Sequence, residues 1–333
     1  MSGVKCTNKH RIKIICFLLA TVMSLSCAGC GQKAYDMPYN PDAAVSGFNV
    51  ISRQNSKAAH TFAEDLCVVT ENVTNDETVD MTQAEAAVLF DLNNCQVLYA
   101  KNAHEKLHPA SLTKVMTALV ALKYGSIDQV MTATNTVNIT ESGATLCGIK
   151  PGDTMTLNQA LYVLLLQSAN DVAMMIAENV GGSVDHFIEL MNQEALELGA
   201  TNTHFMNPHG LTQEDHYTTA YDLYLIFNEA LKYEKFNEII QMSSYEATYS
   251  NSAGAVKTIS IQTSNLFLRG NYKAPDNITV IGGKTGTTNA ARSCLMLLSR
   301  DASGSPYISV ILKAETRDLV YEKMIDLLDE IQN

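Results

Sequence analysis

The chain has 333 residues, 46% hydrophobic and 17% charged, enough apolar material for one large folded domain or two modest ones. Its formal net charge of -12 argues against a nucleic-acid partner, because a phosphate-binding surface needs clustered Lys and Arg and none occurs beyond the extreme N-terminus. An acidic, solvated exterior is the simpler expectation.

Lys5, Lys9, Arg11 and Lys13 precede an apolar run over residues 14–25, too short to span a bilayer and of the length of a signal-peptide core. Residues 1–29 are therefore expected to direct export. The run ends in Cys27-Ala28-Gly29-Cys30, which resembles a bacterial lipobox and marks Cys30 as a lipidated first residue of the mature chain. Cys27 stands where Leu is usual, and ordinary cleavage or an uncleaved anchor are the alternatives. Of the eight cysteines, Cys6, Cys16 and Cys27 fall in this segment, leaving Cys67, Cys95, Cys147 and Cys294 beyond Cys30. They show no CxxC spacing and no partnered His, so no metal or cofactor is expected, and their pairing is not decided by sequence.

Residues 30–80 are polar, without a sustained period of 2 or 3.6, and read as a flexible tether. Two apolar runs, 86–90 and 96–100, flank Asp91-Leu92-Asn93-Asn94 in the pattern of a β-hairpin, which places the folded domain at 81–333. Helices are expected over 111–124, over 157–167 behind a Thr156/Gln159 capping box, over 171–180 ended by Gly181-Gly182, over 183–198 stopped by Gly199, and over 219–231. The texture then changes to strand-like runs at 245–249, 258–262, 278–281, 293–299 and 307–313, closed by an amphipathic helix over 318–331. This order implies an α+β fold, one antiparallel sheet collecting strands from both ends of the chain around an inserted helical subdomain.

Pro109-Ala110-Ser111-Leu112-Thr113-Lys114 opens the first helix, and the spacing puts Ser111 and Lys114 on one helical face. A serine hydroxyl is a poor nucleophile until a base takes its proton, and lysine acts as that base only where burial or neighbouring positive charge keeps it neutral. Alone, Ser-x-x-Lys is expected about once by chance in a chain this long, and a solvated helix face is its simplest meaning. Two further motifs change that estimate: Ser168-Ala169-Asn170 at a junction between two helices, and Lys284-Thr285-Gly286 after the strand-like run 278–281.

In this order the three motifs resemble the signature of penicillin-binding proteins and class A β-lactamases, with Ala169 where Asp is common. The stretches PASLTKVMTALVAL (109–122), NQEALELGATNTHFMNPHGL (192–211) and HYTTAYDL (216–223) narrow the resemblance to the D-alanyl-D-alanine carboxypeptidases, the low-molecular-mass penicillin-binding group of peptidase family S11. It runs from about residue 84 to 333. The resemblance implies a β-lactamase/transpeptidase-like fold, a five-stranded antiparallel sheet flanked by helices. It also implies a serine acylated by a peptidoglycan stem peptide ending in D-Ala-D-Ala, release of the last D-Ala, hydrolysis by water, and trapping of the same serine by β-lactams. Within it, Ser111 is the nucleophile and Lys114 its base, while Ser168 relays a proton between Lys114 and the leaving amine. Asn170 holds Lys114 and a substrate carbonyl; Lys284 and Thr285 serve the terminal carboxylate. Gly286 lets the strand edge approach, and the N–H of Thr287 pairs with that of Ser111 as an oxyanion hole.

Val280-Ile281-Gly282-Gly283 stands where relatives commonly have an Asp-Gly-Ile pattern, and Arg292 replaces a frequent Gly. No C-terminal all-β domain or anchoring helix is read after residue 331, so an N-terminal lipid is expected to hold the protein on the extracytoplasmic face of the bacterial cytoplasmic membrane. The alternatives are a D,D-endopeptidase, a catalytically idle lipid-anchored binding or sensor protein, and a class A β-lactamase; the segment around Glu194 and Glu197 lacks the loop that carries a β-lactamase's deacylating glutamate. His104, His108, His204, His209 and His216 are not at ligand spacing and read as structural, and Arg317 reads as a surface ion pair although some relatives place an arginine there near the substrate carboxylate.

Overall fold

The computed structural model describes residues 65–74 and 79–332; the predicted signal segment, Cys30 and most of the predicted tether lie outside them. In chain order the strands are β1 (Ala86–Asp91), β2 (Gln96–Lys101), β3 (Val130–Thr132), β4 (Thr154–Thr156), β5 (Ser244–Ser250), β6 (Val256–Gln262), β7 (Thr279–Thr288), β8 (Arg292–Arg300) and β9 (Pro306–Ala314). The helices are α1 (Thr113–Tyr124), α2 (Leu157–Tyr162), α3 (Asn170–Gly181), α4 (Val184–Glu197), α5 (Ala220–Ala230), α6 (Glu234–Ile240) and α7 (Arg317–Asp329).

Side chains alternate across a strand, so a strand apolar at every position must be covered on both faces. β1 is such a strand: Ala86, Val88 and Phe90 join the core under the helical block, while Ala87 and Leu89 join the core under α7. β8 divides in the same way, with Met296 and Leu298 on one side and Leu295 and Leu297 on the other. The result is three layers: α7, an antiparallel five-stranded sheet in the order β2-β1-β9-β8-β7, and a helical block centred on α1, α3 and α5. The first and last parts of the chain thus share one sheet, as expected from the sequence.

Four local expectations are corrected. The packed body starts before residue 81, because Cys67 and Val69 are buried, the Cys67 N–H donates to the Tyr224 hydroxyl at 3.0 Å, and Val73 exchanges two backbone hydrogen bonds with Ala100. The predicted strands 245–249 and 258–262 do not enter the five-stranded sheet; as β5 and β6 they join β3 and β4 in a second, four-stranded antiparallel sheet. Only half of the capping box forms. The Thr156 hydroxyl accepts the Gln159 N–H, but the Gln159 side chain turns to β5, donating to the Tyr245 hydroxyl and accepting the Thr248 N–H. The helix predicted over 157–167 ends at Tyr162 and widens into a π-type turn over Val163–Gln167, which delivers the chain to Ser168 in a left-handed conformation at φ 67°.

Candidate active site

Ser111 sits in a single 3-10 turn, Ala110–Leu112, that feeds directly into α1. One turn on, Lys114 is fully buried, with its Nζ 3.0 Å from Ser111 Oγ, 2.7 Å from Asn170 Oδ1 and 2.6 Å from the His209 carbonyl oxygen. Burial first, and then the positive charge of Lys284, hold the Lys114 pKa well below the ordinary lysine value, against the opposing pull of Asp171. A neutral amine has two N–H bonds and one lone pair. The amide oxygen of Asn170 and the carbonyl of His209 can only accept, so in the neutral form of Lys114 they would take both hydrogens and leave the lone pair for the Ser111 hydroxyl.

The second motif occupies the joint that the π-type turn creates. Ser168 accepts from Lys284 Nζ at 3.0 Å, and Asn170 opens α3. The Asn170 N–H donates to the Thr145 carbonyl at 2.8 Å, while the Asp171 carboxylate accepts the N–H groups of Cys147 and Gly148 at 3.0 and 2.7 Å. The loop through Thr145 is thereby tied to the same helix start that carries Asn170.

The third motif lies on β7, the edge strand of the five-stranded sheet, so its outer backbone groups face away from β8. A Cβ at Gly286 would lie 3.0 Å from both the Pro109 oxygen and Ser111 N; the missing side chain is what brings strand and nucleophile turn together. Lys284 is buried, donates also to the Thr285 carbonyl at 2.8 Å, and has its pKa brought down to about 7 by burial. Thr285 Oγ1 and Ser264 Oγ are 2.6 Å apart.

A cleft of about 310 Å³ opens over these groups, and Ser111, Ser168, Thr285, Gly286 and Thr287 line it. Lys114, Asn170 and Lys284 stand behind the wall and act on it through the hydrogen bonds above. Lys284 is thus one residue removed from the position expected for a direct carboxylate contact. Arg317 corrects the expectation in the other direction: it lines the cleft and, among the described residues, closes no ion pair. Its place at the first turn of α7, next to the Thr316 N-cap, was the available signal. Thr145, Gln167, Ser264 and Tyr321 also line the cleft and carried no motif that sequence reasoning used. Glu194 and Glu197 both pair with Lys123 at the far end of α1 and do not line the cleft. Three of the histidines serve the scaffold: ring nitrogens of His104, His108 and His204 meet the carbonyls of Val69, His216 and Asp215.

Known proteins resemble this chain in sequence and in fold. The sequence model of the family described as D-alanyl-D-alanine carboxypeptidase matches residues 71–316. Bacillus subtilis D-alanyl-D-alanine carboxypeptidase DacF is 35% identical over 253 residues, 73% of this chain and 61% of that protein. Mycobacterium tuberculosis D-alanyl-D-alanine carboxypeptidase DacB2 is 36% identical over 211 residues, 63% of this chain and 68% of that one. The chain therefore spans about three fifths of the length of the Bacillus relative. Among solved structures, the Streptomyces K15 DD-transpeptidase superposes with a TM-score of 0.70 at 26% identity, covering 76% of this chain and 98% of that one.

Proposed function

Because this chain belongs to the D-alanyl-D-alanine carboxypeptidase family of serine peptidases, we propose that it removes the terminal D-Ala from peptidoglycan stem peptides ending in D-Ala-D-Ala, through an acyl-enzyme on Ser111. The observation that carries this reading is the buried Lys114 amine, 3.0 Å from Ser111 Oγ, held by Asn170 Oδ1 and the His209 carbonyl and driven by burial well below the ordinary lysine pKa. Lys114 takes the hydroxyl proton as Oγ attacks the carbonyl carbon of the penultimate D-Ala. The resulting oxyanion is assigned to the N–H groups of Ser111 and Thr287; the support is the close approach of β7 to the nucleophile turn at Gly286. Collapse breaks the C–N bond, the leaving amine receives its proton by way of Ser168, and D-Ala departs. Water then adds to the ester, giving one proton to Lys114, which passes it to Ser111 Oγ as the ester C–O bond breaks; the shortened peptide acid leaves and ionises to a carboxylate.

The terminal carboxylate of the substrate meets Thr285 and Arg317 in the cleft, with the charge of Lys284 behind them. A β-lactam presents a carboxylate and a strained amide to the same groups and acylates Ser111 without ready release. Incubation with a defined pentapeptide and mass spectrometry of the product tests the reading. Loss of one D-Ala supports it; transfer to an added amine with no hydrolysis points to a transpeptidase, and an unchanged peptide together with rapid multiple turnover of a chromogenic cephalosporin overturns it in favour of a β-lactamase.

The proposal includes location. Residues 1–29 direct export, Cys30 carries a diacylglyceryl group, and the following polar segment holds the domain at the extracytoplasmic face of the membrane; the support is the basic start, the apolar run 14–25 and Cys27-Ala28-Gly29-Cys30. Radiolabelled palmitate incorporated by the wild type and absent from Cys30→Ala is the expected outcome, and equal labelling of both removes the lipid anchor.

A further inference from the structure

The residue before the nucleophile is in an unusual conformation. Ala110 has φ 47°, the left-handed region that a residue with a Cβ occupies only where its surroundings hold it there. Its carbonyl oxygen is pressed by the loop carrying Gly210, where a Cβ would fall 1.9 Å from that oxygen and where φ is +87°. The same oxygen accepts from the hydroxyl of Thr113 at 2.8 Å.

Thr113 is fully buried and has a second partner, the Nε2 of His216 at 2.9 Å. The His216 ring is itself buried, and its Nδ1 accepts the Met206 N–H at 3.1 Å. Burial above all brings its pKa down to about 3, so the ring is neutral, and because Nδ1 accepts, its single proton is on Nε2. Every donor direction is then fixed: Met206 N–H to Nδ1, Nε2–H to Thr113 Oγ1, and Thr113 O–H to the Ala110 carbonyl.

We propose that Thr113 and His216 are positioning residues for the oxyanion hole, acting through the plane of the peptide bond between Ala110 and Ser111. A peptide unit is rigid and trans, so its C=O and N–H point in opposite directions and turn together. The Ala110 oxygen and the Ser111 N–H are the two ends of one such unit. Holding the first by a directional chain of hydrogen bonds aims the second, next to the place where Gly286 brings β7 within reach. Without the chain, the strained φ of Ala110 is free to relax, and the peptide plane swings with it. The proposal rests on the reading of Ser111 as the acylated nucleophile.

The test is stopped-flow acylation by a fluorescent penicillin, normalised by active-site titration and accompanied by a melting curve for each variant. Thr113→Val keeps the side-chain shape and removes the hydroxyl. Its acylation rate constant is expected to fall on the order of 10- to 100-fold, with the apparent binding constant within about threefold of wild type, since a misaimed oxyanion donor affects the transition state more than the encounter. Thr113→Ser, which restores the hydroxyl, should regain most of the rate. His216→Gln carries an amide nitrogen near the position of Nε2 and His216→Asn only near that of Nδ1, so the Gln variant should acylate faster. A wild-type rate constant in Thr113→Val, a loss explained wholly by fewer titratable sites, or equal rates in His216→Gln and His216→Asn would overturn the positioning role. Failure of the wild type to label at Ser111 would instead sink the acyl-enzyme reading, and this inference with it.

Discussion

Replacing Asn170 by Asp is the most direct test of a neutral lysine base. The two side chains have one shape, and the oxygen that accepts from Lys114 Nζ at 2.7 Å would remain in place with a negative charge. At an effective dielectric of about 20, unit charges at that separation attract by about 6 kcal/mol, a ceiling because the new carboxylate is itself buried. If a third survives, about 2 kcal/mol, protonation of Lys114 is favoured about 30-fold over its present state. The ammonium has no lone pair for the Ser111 hydroxyl, so acylation should drop wherever Lys114 becomes protonated, by up to about 30-fold. Stopped-flow labelling between about pH 5 and 10 should show the rise of acylation displaced to higher pH, with rate regained in alkali. An Asn170→Asp profile that rises at the same pH as wild type would refute the neutral-lysine reasoning. A loss that alkali does not restore would mean that Asn170 acts only through its contact with substrate.

Lys284, with its pKa lowered to about 7, sheds its charge as pH rises through that value, so kcat/KM for a pentapeptide should fall over the same range. A pentapeptide amide, which has no terminal carboxylate, should lack this alkaline limb; an identical limb for both substrates would contradict the role given to Lys284. His209 and His216 both have folded-state pKa values near 3, below the unfolded value of 6.5, so the unfolded chain binds more protons between those limits. Stability is therefore complete above about pH 6.5 and is lost as pH falls towards 3, each histidine contributing about 1.4 kcal/mol per pH unit; urea midpoints that stay constant from pH 7 to 4 would count against it. At Gly282 a Cβ would lie 2.2 Å from the Ile240 oxygen at the end of α6, so Gly282→Ala should lower the thermal midpoint, with a destabilisation of about 1–3 kcal/mol. An unchanged midpoint would show that β7 and α6 can separate freely.

The parts of this molecule that were legible in the sequence are those whose chemistry is local. Ser111 and Lys114 meet because a helix repeats, and the nearly unbroken apolar runs in β8 and β9 announce a sheet covered on both sides. β3 and β4 are three residues each, too short for a period to declare itself, so the second sheet was hidden. Cys67 and Val69 bury an alternating pair inside a stretch whose composition is that of a linker, which disguised the true start of the packed body. Arg317 was visible as a charged residue beginning a helix, but its direction into the cleft is set by how α7 lies on the sheet, and no local pattern encodes that. The contacts of His216 join residues 113, 206 and 216, three segments brought together only by the tertiary fold.

Nucleophile and base are mounted on one short stretch of backbone, whereas Thr285 and Gly286 belong to the sheet across the cleft. A change in the spacing of the two walls would stretch the Lys284 link to Ser168 without changing the covalent spacing between residues 111 and 114. Looser walls would weaken the grip on the peptide and carry the charge of Lys284 away from Lys114, yet the helix turn would still keep hydroxyl and amine paired. Such an arrangement lets natural variation retune how a ligand is held without having to rebuild the nucleophile with it.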